Sequence, residues 1–309
     1  MRLAVRQAAK APSFAEASDD LRELAGVSIS ATHLQRLCAR VGQEWAQARD
    51  EEVEQFRQQQ LKPGPAAAPA VAAVMLDGGR LQTRAAEEGR GVHKPAWQET
   101  KVACCLSLSS TEKAVDPQPE PPPALLDPPK VARLAVEMKA RRAAGAARPE
   151  QGARGGPKSK KRRRSRRKRW QPRKLVRTVV ASMADSDTFG WQVAAEVQRR
   201  RLGEAGRKAC VCDGQKWNWT IFLLHLLPWG FVGILDFIHL AVHLYAAAQA
   251  VGGKPGEAWL LYEQWLRWAW SGEGKLLLGG LRQAAKRRGV LPPEAKEDDP
   301  RQVLADVVG

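Results

Sequence analysis

Two apolar runs in this sequence stop at the same dipeptide, and that repetition constrains the fold more than any other feature. "AVAAVMLDGGRLQTR" at 70–84 runs into Asp77-Gly78-Gly79, and "KACVCDGQKWNW" at 208–219 runs into Asp213-Gly214. Each run is short, apolar and closed by turn residues, the pattern of a buried strand rather than a helix. Asp-Gly is also a common turn pair, so either aspartate alone reads as an ordinary strand-to-turn residue. The fold has to account for two such strands in one chain.

The elements around the two runs supply an order. "WQETKVACCLSLSS" at 97–110 and "KLVRTVVASM" at 174–183 read as two further strands, and 187–206 as a helix opened by Asp187 and closed by Gly206. After Asp213 come a helix at 217–227, a strand at 231–235 and a helix at 237–250. The order is three strands followed by alternating helix and strand. It predicts an α/β chain with an RNase H-like mixed sheet flanked by helices, in which the first strand lies beside the fourth. Asp77 and Asp213 then converge. Two carboxylates held together at neutral pH repel each other, and a divalent cation removes that repulsion. Hard oxygen ligands suit Mg²⁺ or Mn²⁺, and such sites serve phosphodiester chemistry.

The flanking regions divide the rest. In 1–60, Phe14, Ala17, Leu21 and Leu24 repeat at helical spacing, Gly26 stops the pattern, and Ser30 caps a second helix carrying Leu34, Leu37, Cys38, Val41 and Trp45. This N-terminal pair has a helix-turn-helix outline, which many helical pairs share, and in a DNA reader Thr32, His33, Gln35 and Arg36 would face the bases. Residues 61–70 form a linker, and the core spans 71–251. A Pro-, Ala- and Gly-rich stretch at 112–169 interrupts it, expected to be disordered apart from one helix near 130–143. A Trp-rich helical region fills 252–309, with a frayed end from 290.

Charge points to the partner. Lys and Arg total 50 against 33 Asp and Glu, a net +17, which favours a polyanion and most simply DNA. Ten of these cations sit in "KSKKRRRSRRKR" at 158–169, among them Lys160, Lys161, Arg162, Arg163, Arg164, Arg166, Arg167, Lys168 and Arg169. The same run also reads as a solvated linker. The five cysteines are an odd number with apolar neighbours, and no signal peptide opens the chain, so free thiols in a reducing cytoplasm are expected. "WTIFLLHLLPWGFVGIL" at 219–235 is apolar enough to suggest a membrane span, but it is short, contains His225 and Pro228, and runs into Asp236. A buried helix, a turn and a strand fit it better.

Five stretches carry a resemblance: 13–42, "VMLDGGRLQTR" (74–84), "WQETKVACCLSL" (97–108), "CVCDGQKWNW" (210–219) and "ILDFIHLAVHL" (234–244). In this order they resemble DDE transposases of bacterial insertion sequences, of the ISKra and ISLre type and more distantly the Mutator type. The resemblance implies Mg²⁺- or Mn²⁺-dependent cleavage and strand transfer on DNA by a nucleoid-associated cytoplasmic protein, with room for a homo-oligomer. It implies that Asp77 and Asp213 are the first two catalytic acids and metal ligands. It makes Asp236 and His239 an Asp-x-x-His element with a DNA-positioning or structural role.

The resemblance also implies a third acid, a glutamate on a core helix beyond a long insertion. Glu257, Glu263 and Glu273 fall within the insertion region, so the third acid is unassigned and the sequence reads as cut short before it. The expectation is a transposase or a fragment of one; the alternative is a DNA-binding remnant without catalysis, and a membrane-anchored protein is the weakest reading.

Overall fold

The computed structural model describes residues 1–83, 96–143, 172–296 and 298–308. A five-stranded mixed sheet forms its centre, with strands β1 (Val71–Thr83), β2 (Ala96–Ser109), β3 (Arg173–Ser182), β4 (Arg207–Cys212) and β5 (Val232–Leu235) in the spatial order β3-β2-β1-β4-β5. The β3–β2 and β2–β1 pairs are antiparallel, and the β1–β4 and β4–β5 pairs are parallel. The first strand therefore lies beside the fourth, as the element order predicts.

Alternation decides which face is covered. Ala72, Val74 and Leu76 of β1, Ala103 and Cys105 of β2, and Cys210 and Cys212 of β4 point to one face and are buried with Phe189, Val193 and Val197 of α5 (Ser186–Arg199) and Ile221 of α6 (Lys216–Ile221). Each fully buried large side chain here contributes about 1.5–3 kcal/mol. Met75 and Asp77 fall on the opposite face and are exposed, as are Val179 and Ile234.

Two smaller cores flank the sheet. Helices α1 (Arg2–Ala8), α2 (Phe14–Ala25) and α3 (Ala31–Arg57) enclose Ala4, Ala17, Leu21, Leu34 and Leu37. Gly26 stops α2 in the left-handed region at φ 63°, and the Ser30 hydroxyl accepts from the His33 N–H at 3.2 Å to cap α3, both as the sequence indicates. The far end of α3 packs on α5, with Phe56 against Trp191 (centroids 6.2 Å apart) and the Arg57 guanidinium 5.3 Å from the same ring. The third core joins α4 (Pro128–Ala143), α7 (Phe237–Val251), α8 (Pro255–Trp270), α9 (Gly274–Arg288) and α10 (Pro300–Val308) around Leu244, Tyr262, Trp265, Leu281 and Leu304.

Several expected boundaries need correction. β1 does not end at Asp77: antiparallel β2 continues to pair with it through Gly78 and Gly79 as far as Thr83, after parallel β4 has stopped at Cys212. The cap of α5 is Asp185 rather than Asp187, accepting from the Thr188 N–H at 2.8 Å, and the helix ends at Arg199. The stretch after 112 is not structureless ahead of its helix. Leu125 and Val131 are buried, the Tyr262 hydroxyl donates to the Leu125 carbonyl at 3.0 Å, and the Trp270 indole donates to the Gln118 carbonyl at 2.9 Å. Residues 300–308 are not frayed, because α10 buries Leu304 completely. The basic tract from Lys160 to Arg169 lies outside the described residues.

The apolar stretch 219–235 splits into α6, a turn widened to π spacing at Phe222–Leu226, a 3₁₀ turn and β5. No helix among the described residues is long and apolar enough to cross a membrane.

Candidate functional site

Three parallel strands deliver three aspartates to one edge of the sheet. The β1–β4 register ends with Leu76 opposite Cys212, so Asp77 and Asp213 are the next residues on each strand. The β4–β5 register ends with Cys212 opposite Leu235, and one step further the Asp236 N–H donates to the Cys212 carbonyl at 2.7 Å. Neighbouring strands lie about 4.8 Å apart. Asp77, Asp213 and Asp236 thus form a row across β1, β4 and β5.

The electrostatics agree with this placement. Asp77 is open to solvent at its surface, yet burial of its carboxyl raises its pKa above the ordinary value of 3.8. The Gly78 N–H opposes that shift, the charges of Asp213 and Asp236 add to it, and His239 lowers it. A carboxylate that feels two others and an imidazole sits in one shared field with them.

Each member of the row is held differently. One oxygen of Asp213 accepts from the Gln215 N–H at 3.0 Å and from the Asn218 side-chain amide at 2.6 Å. Asn218 is fully buried, and its own carbonyl oxygen has no hydrogen-bond partner among the described residues. Asp236 is the N-cap of α7: its Oδ1 accepts from the Ile238 N–H at 2.8 Å and the His239 N–H at 3.4 Å. His239 Nδ1 lies 3.2 Å from Asp236 Oδ2 but outside hydrogen-bond geometry, so this buried nitrogen is without a hydrogen-bond partner among the described residues.

Among the described residues, no group of three His, Cys, Asp or Glu side chains is gathered closely enough to hold a metal ion. Asp77 and Asp213, the residues that follow the last paired positions of two adjacent parallel strands, are hard oxygen donors, the ligand type Mg²⁺ takes, commonly as one or two carboxylates beside water and phosphate oxygens. Among the buried thiols, Cys105 is pushed up to about 12 by burial, and the neighbouring Cys212 thiol together with burial pushes Cys210 up, while the hydrogen bond with Cys210 lowers Cys212.

Other sequence candidates stand apart from the row. Thr32, His33, Gln35 and Arg36 are exposed on the first turns of α3. Glu257 accepts from the Lys254 N–H at 3.3 Å at the start of α8, Glu263 pairs with Arg267 at 2.9 Å, and Glu273 precedes α9. Sequence reasoning missed two residues. Asn218 carries no signal beyond lying five positions after Asp213. Lys101 is buried opposite Gly78, where its ammonium donates to the Ala184 carbonyl at 3.0 Å, stands 3.6 Å from Glu99 and faces the Trp217 ring at 5.7 Å. Its alternate-residue register with Ala103 and Cys105, both buried, was the available clue.

No family model, curated protein or solved structure matches the chain.

Proposed function

We propose that this chain is a DNA-processing protein of the transposase type, built on an RNase H-like core, with Asp77 and Asp213 as its metal-binding carboxylates. The observation that carries the reading is the placement of these two residues next to each other, just past Leu76 and Cys212 in a parallel pair. The sheet order β3-β2-β1-β4-β5 supports it, because an RNase H-like core sets its first strand beside its fourth. The net charge of +17 supports a polyanionic substrate.

Bound by Asp77 and Asp213, Mg²⁺ or Mn²⁺ would activate the attacking oxygen and stabilise the leaving oxygen of a DNA phosphodiester. The protein's part is orientation. Asn218 and the Gln215 N–H hold one oxygen of Asp213 and leave the other for a ligand. Asp236 is spent on capping α7, and with His239 it borders the pair as a positioning element.

A second reading, a DNA-binding remnant without catalysis, is favoured by one observation. Glu257 and Glu263 have local structural partners in the helical core, and no other carboxylate joins the pair to make a three-ligand group among the described residues. The full chain incubated with supercoiled plasmid in Mg²⁺ and then Mn²⁺, beside Asp213→Ala, separates the two. Nicking that the substitution abolishes supports the transposase reading. DNA binding without nicking supports the remnant, and absence of DNA binding at low salt overturns both.

A further inference from the structure

We infer that the outward face of α9 is a nucleic-acid backbone contact surface, formed by residues other than those of the aspartate row and the basic tract. The inference rests on reading the chain as a DNA-processing protein. Lys275, Gly279, Arg282 and Lys286 line the side of α9 opposite Leu277, Leu281 and Ala284, which are buried against the helical core. All three cations are exposed, and none has an ion-pair partner among the described residues. The helix sequence "GKLLLGGLRQAAKRR" contains no Asp or Glu to balance them.

The helix itself does not account for this stripe. Cations in the last turn suit the negative end of the helix dipole, which accounts for Lys286, Arg287 and Arg288 but not for Lys275 or Arg282. Lys275 stands in the first turn, where the dipole disfavours a positive charge. Gly279 weakens the helix relative to alanine. Its neighbour Gly280 has an internal reason, because a Cβ there would meet the Trp265 indole at 3.0 Å; a Cβ at Gly279 would meet nothing within 4 Å. Both local costs fall on the solvent face, where a missing side chain lets an external backbone approach between charges.

The dimensions select the partner. Lys275 to Lys286 spans about 16 Å at 1.5 Å per residue, and a duplex strand passes about four or five phosphates over that length. An anionic membrane fits less well, since exposed Leu276 and Leu278 lie on opposite flanks of the stripe rather than on one continuous apolar face.

The test compares the full chain with Lys275→Gln/Arg282→Gln/Lys286→Gln by anisotropy of a labelled duplex across a salt series. Both proteins keep residues 158–169, so the difference isolates α9. The triple variant is expected to lose about tenfold or more in affinity near 0.1 M salt and to flatten the log–log salt slope by about 2–3. Its melting temperature should match that of the wild type, because all three positions are exposed. Gly279→Leu, which leaves every charge in place, should weaken binding severalfold. Unchanged affinity and slope in the triple variant overturn the inference while leaving the proposed function standing. Loss of binding to phosphatidylserine vesicles without loss of duplex binding overturns it in favour of a membrane surface. Failure of the wild type to bind DNA overturns both.

Discussion

The backbone N–H of Asp236 donates to the carbonyl of Cys212 at 2.7 Å, so the residue that starts α7 is stitched to the strand end that presents Asp213. One residue closes the sheet edge, caps a helix and lends a negative charge to the row. These duties are separable by substitution. Asp236→Ala removes the cap and should cost about 1 kcal/mol of stability in denaturant titration. Asp236→Asn keeps a capping oxygen and should cost only a few tenths of that. If the two variants are equally unstable, the charge rather than the cap holds α7.

Asp77 gives a pH-dependent signature. Its folded pKa lies above 3.8, so the native state holds its proton more tightly than the unfolded chain does. Stability then falls as pH rises from 3.8 through the folded value, and the loss persists at neutral pH. Asp77→Asn should therefore raise the melting temperature at pH 7 in chelator, with the gain vanishing as the pH drops below the carboxylate range. Adding Mg²⁺ should reverse the order, stabilising the wild type and not the variant. A wild type that gains nothing from Mg²⁺ or Mn²⁺ removes the metal assignment.

Asn218 is the residue through which Asp213 is aimed. Its amide donates to Asp213 at 2.6 Å from a fully buried position. Outer-shell partners of this kind are worth about 10–100-fold in metal affinity or activity. Asn218→Ser should lower Mn²⁺ affinity by that order, measured by calorimetry, while the fold persists by circular dichroism. Asn218→Asp should do worse at pH 7 than at pH 5, because two carboxylates in contact cannot both ionise.

Much of this arrangement is legible in the sequence. The strands that lead into Asp77 and Asp213, the element order and the caps at Gly26 and Ser30 all follow from local pattern. Local pattern could not show that β1 runs on to Thr83, because Gly78 and Gly79 read as a stop unless the length of β2 is known. Nor could it show that Leu125 and Val131 join the core with Tyr262, since proline content outweighed a few apolar residues. Asn218 and Lys101 were hidden for a related reason. Lys101 matters through a contact between β2 and the start of α6, and Asn218 through a buried hydrogen bond to Asp213 five residues back; no spacing rule encodes either.

The last prediction concerns a close approach between α5 and the π-widened turn. A Cβ on Gly190 would stand 2.5 Å from Cδ2 and 2.6 Å from Nε2 of His225. The imidazole cannot simply swing away: His225 is buried and lies edge-on to Trp191 with ring centroids 4.7 Å apart. Gly190→Ala should therefore destabilise by about 1–3 kcal/mol, the usual cost of overpacking. His225→Ser should relieve the clash, so the double variant should be less unstable than the sum of the two single changes. The same histidine supplies a second readout. Burial lowers its pKa below 6.5, only partly offset by Asp187, so the unfolded chain takes up a proton more readily than the native state. Wild-type stability should fall as pH drops below 6.5, and His225→Ser should flatten that slope. Additive single effects together with an unchanged pH slope would show that the ring is free to move and that the contact with Gly190 does not constrain the fold.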